Sequence, residues 1–193
     1  MIHCICVAYE RVIPLEILIR SFIVQTDQRW MLHIVYDGTV PRTILDIMQP
    51  LMKDKRIRFY QSEERYRKYG HPNRKTMLQK IETKKGDFIL MTNDDNYYVP
   101  RFVEYFLKAA TPSVGMVYCN TLRNFEYEVH NSVIGSGGID MGAFMVREDI
   151  AKRTGFNHET VCADGIYAHE CYEECKKKKL IAVKIEKPLF IHN

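Results

Sequence analysis

Two adjacent carboxylates, Asp94 and Asp95, follow the apolar residues 88–91 and lie between two amides, Asn93 and Asn96. A short apolar run is typical of a buried strand, which would carry the carboxylates to the edge of a sheet where ligands bind. Adjacent carboxylates repel each other unless they share a cation, and a divalent cation with oxygen ligands often also holds a phosphate. The alternative is that Asp95 and Asn96 only cap the next helix.

Two further acidic residues lie at the ends of predicted elements. Asp37 follows a predicted strand at residues 31–36, and Asp164 begins a predicted helix that continues to about residue 178. Each also has a simpler explanation, because Asp before Gly38 is typical of a turn and Asp at a helix start is typical of an N-cap. Neither residue alone therefore identifies a site.

Positive charge is concentrated in one basic segment, residues 51–75, which contains nine Lys or Arg and three Asp or Glu. Such a segment could bind nucleic acid or a small phosphorylated ligand, or it could be only a solvated surface. No phosphate-binding loop ending in Gly-Lys-Ser/Thr is present, and Val7-Ala8-Tyr9 replaces a glycine fingerprint after the first predicted strand. A dinucleotide fold and a phosphate-loop NTPase are therefore disfavoured.

The elements that would position these residues alternate between strand and helix. Hydrophobic spacing and helix-starting prolines predict five strands separated by four helices before residue 120, and this order predicts an α/β fold with a mostly parallel sheet covered by helices on both faces. The helix after Pro72 is predicted to end with Lys84 and Lys85. The second half is a smaller mixed region, predicted to contain an edge strand at 126–134, strands at 141–146 and 180–185, and an extended tail at 188–192.

The totals suit one domain, residues 1–193, divided into halves at 1–120 and 121–193. The chain has 193 residues, a formal net charge of +4, and 46% hydrophobic and 27% charged residues, which is typical of a globular protein. No apolar run is long enough to span a bilayer, and the first residues lack the pattern of a signal peptide. Six cysteines without regular spacing suggest reduced thiols, so we expect no transmembrane segment and a cytoplasmic location.

Several segments together resemble a known family. They are residues 57–62, 86–89 and 94–100, the last reading Asp-Asp-Asn-Tyr-Tyr-Val-Pro, with Ile139-Asp140 and Ala163-Asp164 in the second half. The combination resembles the nucleotide-diphospho-sugar glycosyltransferases of family 2, and most nearly the spore-coat polysaccharide glycosyltransferase type. The resemblance covers nearly the whole chain and implies the Rossmann-like GT-A fold. Asn93 and Asn96 depart from the further aspartates of many members.

The resemblance also implies roles for the residues of the first half. Ala8 and Tyr9 would line the nucleotide base, and Asp37 would accept a hydrogen bond from the imide N–H of uracil. Arg67 would lie near the nucleotide, and Asp94 would hold the ribose hydroxyls. We therefore expect a UDP-sugar donor, with a GDP- or dTDP-sugar as the alternative.

The remaining implied roles concern the metal and the transfer. Asp95 and His192 would bind Mn²⁺ or Mg²⁺, and Asp140 would line the donor sugar or the acceptor. Asp164 would be the general base that deprotonates a hydroxyl of a glycan or other acceptor, with inversion at the anomeric carbon. The chain could also belong to a longer protein with further catalytic domains, and no nucleic-acid partner is expected.

Two other classes of function stay open from the sequence. A nucleotidyltransferase uses related metal–phosphate chemistry, although Tyr9-Glu10-Arg11 does not supply its usual glycine-rich start. A non-catalytic module could bind glycan or nucleic acid through the basic segment, but such a module would not need Asp37, Asp95 and Asp164 together.

Overall fold

The computed structural model describes residues 1–123 and 128–193. Its strands in chain order are β1 (Ile2–Ala8), β2 (Trp30–Tyr36), β3 (Ile57–Gln61), β4 (Phe88–Asn93), β5 (Tyr97–Tyr98), β6 (Val114–Arg123), β7 (Glu128–His130), β8 (Phe144–Arg147) and β9 (Ile181–His192). Its helices are α1 (Val12–Ile23), α2 (Arg42–Leu51), α3 (His71–Lys80), α4 (Phe102–Ala109), α5 (Glu148–Thr154) and α6 (Ala163–Lys177). None of these described helices combines the length and apolar character needed to cross a membrane.

The strands form one sheet in the order β3-β2-β1-β4-β8-β6-β9-β5, with β7 paired to β6. The first four strands in this order, β3, β2, β1 and β4, are parallel to one another, as the strand–helix alternation predicts. β8 is inserted between β4 and β6 and runs antiparallel to both, while β9 runs parallel to β6. The carboxyl ends of β1, β2 and β4 therefore meet at one edge of the sheet, where parallel strands commonly bind ligands.

The burial of β1 explains why apolar and polar residues do not alternate along this strand. β1 lies between β2 and β4, and all seven of its residues are buried, because helices cover both faces of the sheet. On one side α1 packs against α2, and on the other α3 packs against α5. Phe22 of α1 contacts Tyr98, which in turn contacts Phe102 and Phe190, so an aromatic cluster joins α1 to β5, α4 and β9.

The predicted end of α3 was wrong. The helix ends at Lys80, because Ile81 adopts an extended conformation (ψ 133°) and turns its side chain into the core. The backbone N–H of Lys84 then donates to the carboxylate of Asp87 over 2.7 Å. Lys84 and Lys85 therefore lie in the loop before β4 rather than in a last helical turn.

Three predictions in the second half also needed correction. The predicted strand at 141–146 starts as a 3₁₀ turn, Met141–Ala143, because the Asp140 side chain accepts a hydrogen bond from Gly142 N over 2.8 Å. Part of the predicted edge strand at 126–134 lies outside the described residues, and the described part is extended only in β7. The predicted tail at 188–192 is instead part of β9, where Phe190 pairs with Tyr98 of β5.

Candidate active site

The ends of three parallel strands surround an open cavity of about 550 Å³. Ala8 pairs with Tyr36 and Val7 with Asn93, so the residues after β1, β2 and β4 are neighbours. The cavity wall includes five of the residues that the family resemblance singled out, Ala8, Tyr9, Asp37, Arg67 and Asp94, and also contains Arg11, Arg65, Lys68, Gly70 and Arg74. The cavity wall therefore carries both acidic and basic side chains.

The adjacent carboxylates at the end of β4 share a cation, as their sequence requires, and the cation is a guanidinium. Nη1 of Arg11 lies 3.3 Å from Oδ1 of Asp94 and also contacts Oδ2 of Asp95. The backbone N–H of Tyr9 donates to the other oxygen of Asp94 over 2.9 Å. Burial raises the pKa of Asp94 to about 6, although the Tyr9 N–H and Arg11 favour its charged form.

Asp37 anchors the basic segment to the end of β2. Its Oδ1 accepts from Tyr66 N over 2.9 Å and from Asn73 Nδ2 over 2.8 Å, and its Oδ2 accepts from Arg67 N over 3.0 Å. The side chain is 4% exposed. A carboxylate has about four acceptor positions, so three are used and one remains for a ligand. Asp37 is therefore more than the turn former that Asp37-Gly38 suggests.

The anchored segment continues into a left-handed turn, residues 67–70. Arg67, Lys68, Tyr69 and Gly70 have φ values of 58°, 47°, 57° and 75°. Only Gly70 adopts such an angle readily, and a Cβ at this position would lie 2.6 Å from Cγ1 of Val7. Consecutive non-glycine residues in this region cost conformational energy, and such strain is often found where a loop meets a ligand.

Arg74 binds the left-handed turn through a buried side chain. Its guanidinium donates to the carbonyl of Tyr69 and to the Oδ1 of Asn93, so it connects the turn to the end of β4. The residue is 1% exposed, and among the described residues no carboxylate lies within ion-pair distance of it. Burial accordingly lowers the pKa of Arg74. A buried cation in the wall gives the cavity a fixed positive charge.

A second cavity of about 340 Å³ is lined by residues from the second half of the chain. Asp140, Asp164 and His192 line it together with Thr121 and Cys162. Nδ1 of His192 lies 3.2 Å from Oδ2 of Asp140, so the end of β9 and the residue before the 3₁₀ turn form an ion-pair geometry. The resemblance implies that Asp140 lines the donor sugar or the acceptor, that Asp164 is the general base and that His192 binds the metal. These three residues share one cavity.

Asp164 is the second residue of α6 rather than its N-cap. The N-cap is Cys162, and Oδ1 of Asp164 accepts a hydrogen bond from Gly165 N over 2.8 Å. Burial raises the pKa of Asp164, and the nearby negative charge of Asp140 raises it further. A carboxylate with a raised pKa is a stronger proton acceptor, so the environment suits a general base.

The residues fit a divalent cation only in part. Oδ1 of Asp95 is buried and has no hydrogen-bond partner, as a metal ligand would be without its metal. The pairing of Tyr97 with Ile191 brings the chain after β9 to Asp95, where Asn193 Nδ2 donates to the Asp95 carbonyl over 2.6 Å. Within residues 1–123 and 128–193, however, no three His, Cys, Asp or Glu side chains are grouped as a metal site.

Residues 4–166 match the family described as glycosyl transferase family 2. The chain belongs to this family. Among solved structures it is similar to S. aureus TarS 1–349, with 15% identity, a TM-score of 0.75, and coverage of 100% of this chain and 60% of that one. The same TarS fragment in complex with UDP gives 14% identity, a TM-score of 0.77, and coverage of 99% and 60%.

A second glycosyltransferase structure is similar to the same extent. The mannosyltransferase PcManGT from Pyrobaculum calidifontis, in complex with GDP-Man and Mn²⁺, has 13% identity and a TM-score of 0.75, covering 99% of this chain and 56% of that one. These similarities show that the chain has the GT-A fold expected from its sequence. The chain spans about three-fifths of the length of these solved chains.

Three residues of the candidate site were missed by the sequence interpretation. Arg11 is given no role by the sequence interpretation, although its position three residues after β1 brings it to the same edge as Asp94. Arg74 was counted only in the basic segment, yet it precedes Leu78 and Ile81 by four and seven residues, the spacing of a buried helix face. For Asn73, whose amide binds Asp37, the sequence contains no comparable signal.

Proposed function

We propose that this chain transfers a sugar from a nucleotide-diphosphate donor to a hydroxyl of a glycan. The observation that carries the proposal is the cavity at the ends of β1, β2 and β4, which is lined by carboxylates and by a basic, strained turn. This arrangement offers a nucleoside polar acceptors and a diphosphate positive charge in one place. Membership of the family supports the same activity.

For the donor we propose UDP as the nucleotide, with GDP or dTDP as the alternative. Ala8 and Tyr9 would line the base, and the fourth acceptor position of Asp37 would take the imide N–H of uracil. Asp94 would accept from the ribose hydroxyls, and Arg67 would lie beside the nucleotide. The similar structures in complex with UDP and with GDP-Man support a nucleotide-sugar donor without choosing between the bases.

Asp95 and His192 would hold Mn²⁺ or Mg²⁺, with the remaining ligands coming from the donor phosphates. When bound, the cation would supply Lewis-acid stabilisation of the diphosphate leaving group. The buried and unpartnered Oδ1 of Asp95 supports its part in this site. For His192 the support is its position, because β9 ends beside β5 and the Asp95 carbonyl binds Asn193.

The transfer itself would use Asp164 as the general base. The acceptor hydroxyl gives its proton to this carboxylate while its oxygen bonds to the anomeric carbon and the bond to the diphosphate breaks. Such a single displacement inverts the anomeric configuration. The raised pKa of Asp164 supports the role, because an acceptor hydroxyl is a weak nucleophile near neutral pH. Asp140, in the same cavity, would line the donor sugar or the acceptor.

The test begins with a thermal-shift screen of UDP, GDP and dTDP, each with Mn²⁺ and with EDTA. UDP-sugars are then incubated with glycan acceptors, and the released nucleotide is identified. Acceptor-dependent release of free UDP is expected. In a parallel incubation with UTP and a sugar 1-phosphate, release of pyrophosphate would instead indicate a nucleotidyltransferase. Glycan binding without any release in either incubation would indicate a non-catalytic module.

A further inference from the structure

Arg11 occupies the position at which a cation shared by Asp94 and Asp95 would lie. Its Nη1 contacts one oxygen of each carboxylate. The backbone of Arg11 precedes α1, and its side chain makes no capping hydrogen bond there. The position of the guanidinium is therefore explained by the acidic pair and not by the needs of the helix.

Binding of a metal by Asp95 would compete with this contact. Oδ2 of Asp95 is already taken by Arg11, and only Oδ1 is without a partner. A guanidinium and a divalent cation next to the same carboxylates repel each other, so the two cannot share the pair at full strength. The carboxylates are held by the fold, since Tyr9 N fixes Asp94 from the backbone. The mobile partner is thus Arg11.

The side chain of Arg11 has room to leave. It is 53% exposed, whereas the side chains of Asp94 and Asp95 are 6% and 16% exposed. Arg11 also lines the donor cavity, as do Arg67 and Lys68 of the left-handed turn. A guanidinium displaced from the acidic pair would therefore remain beside the space in which we propose that the diphosphate binds. A guanidinium is well suited to bind phosphate oxygens in a bidentate manner.

We propose that Arg11 closes the acidic pair in the metal-free protein, and that metal entry releases its guanidinium to bind the donor diphosphate. The inference rests on the proposed function, since its first step uses the proposed metal site at Asp95 and its second step uses the proposed donor. In the first step Arg11 lowers the affinity for free metal. In the second it raises the affinity for the metal-bound donor, so metal and donor bind cooperatively through one side chain.

The first experiment measures binding of Mn²⁺ alone by titration calorimetry, without any nucleotide. The matched control for Arg11→Gln is Arg65→Gln, because Arg65 carries the same charge in the same cavity but lies over the ring of Tyr9, 3.6 Å from its centroid. We expect Arg11→Gln to bind Mn²⁺ about tenfold more tightly than the wild type, and Arg65→Gln to remain within about threefold. Equal affinity in the wild type and Arg11→Gln, or an equal gain in both variants, would overturn the competition.

The second experiment measures UDP binding at saturating Mn²⁺. Here the sign is reversed, and we expect Arg11→Gln to bind UDP about five- to tenfold more weakly than the wild type, because a phosphate-binding charge is lost. Unchanged UDP affinity would overturn the release step, and weaker binding of both Mn²⁺ and UDP would make Arg11 a structural residue. Failure of the wild type to bind UDP at all would contradict the proposed function, whereas the metal titration would still decide the first step.

Discussion

Replacing Asp37 by Asn tests whether this side chain shapes the donor site. The change keeps the size of the side chain but turns one of its two oxygens into an N–H₂ donor. The oxygen that remains can still accept from Tyr66 N and Asn73 Nδ2, as Oδ1 does now. The new amide would then face the backbone N–H of Arg67, which now donates to Oδ2. The first residue of the left-handed turn would lose its anchor.

The expected cost follows from these three hydrogen bonds. Losing one bond to a buried charged acceptor costs about 1.5–3 kcal/mol, and the two retained bonds weaken because their acceptor is neutral. The free energy of unfolding should therefore fall by about 3 kcal/mol. For a domain of this size that corresponds to a fall in Tm of about 6–12 °C. UDP should also bind at least tenfold more weakly, because the turn at residues 67–70 is no longer held.

The assay combines thermal unfolding with calorimetric titration of UDP. The control is Asp46→Asn, since Asp46 forms an exposed ion pair with Arg42 on α2, and such pairs contribute little. Its Tm should change by less than about 2 °C. An Asp37→Asn protein as stable as this control would refute the anchoring role. If stability falls and UDP affinity does not, Asp37 anchors a segment that takes no part in donor binding.

Three further outcomes are expected. Asp164→Asn should leave UDP affinity nearly unchanged and lower glycan transfer at least about 10²-fold, whereas unchanged transfer in a product assay would remove the proposed base. Asp95→Asn should abolish the difference in calorimetric UDP affinity between Mn²⁺ and EDTA; a difference that persists would place the metal elsewhere. Burial lowers the pKa of His33 to about 4. Between about pH 6.5 and pH 4 the His33 imidazole is therefore protonated in the unfolded chain but neutral in the folded protein. As the pH falls through this range, denaturant titrations should show that the free energy of unfolding decreases by roughly 3 kcal/mol, a decrease that His33→Gln lacks.

The first half of the fold could be predicted because its signals are local. The apolar runs of β1, β2 and β4 and the apolar spacing of α1 are visible within a few residues of sequence. The end of α3 could not be predicted in this way, since Lys84 and Lys85 resemble a last helical turn. What ends the helix is distant in sequence, namely the core contacts of Ile81 and the hydrogen bond to Asp87.

The candidate site likewise has features that local sequence predicts and features that it does not. Asp94 and Asp95 could be predicted to need a shared cation, because adjacent carboxylates repel each other whatever the fold. That Arg11 supplies it depends on side-chain geometry more than 80 residues apart along the chain. Likewise, Asp37 could be located at a strand end, but its hydrogen bonds to residues 66, 67 and 73 depend on a loop whose path no local pattern specifies.

The position of β8 determines where the chain can be cut. β4 pairs with β1 on one side and with β8 on the other, and β8 also pairs with β6. A fragment that ends near residue 120 would lack β8 and leave the backbone of residues 88–90 as a hydrophobic edge. Open edges of this kind pair with other chains. A fragment of residues 1–120 should therefore aggregate when expressed alone, and a soluble shortened form must retain β8.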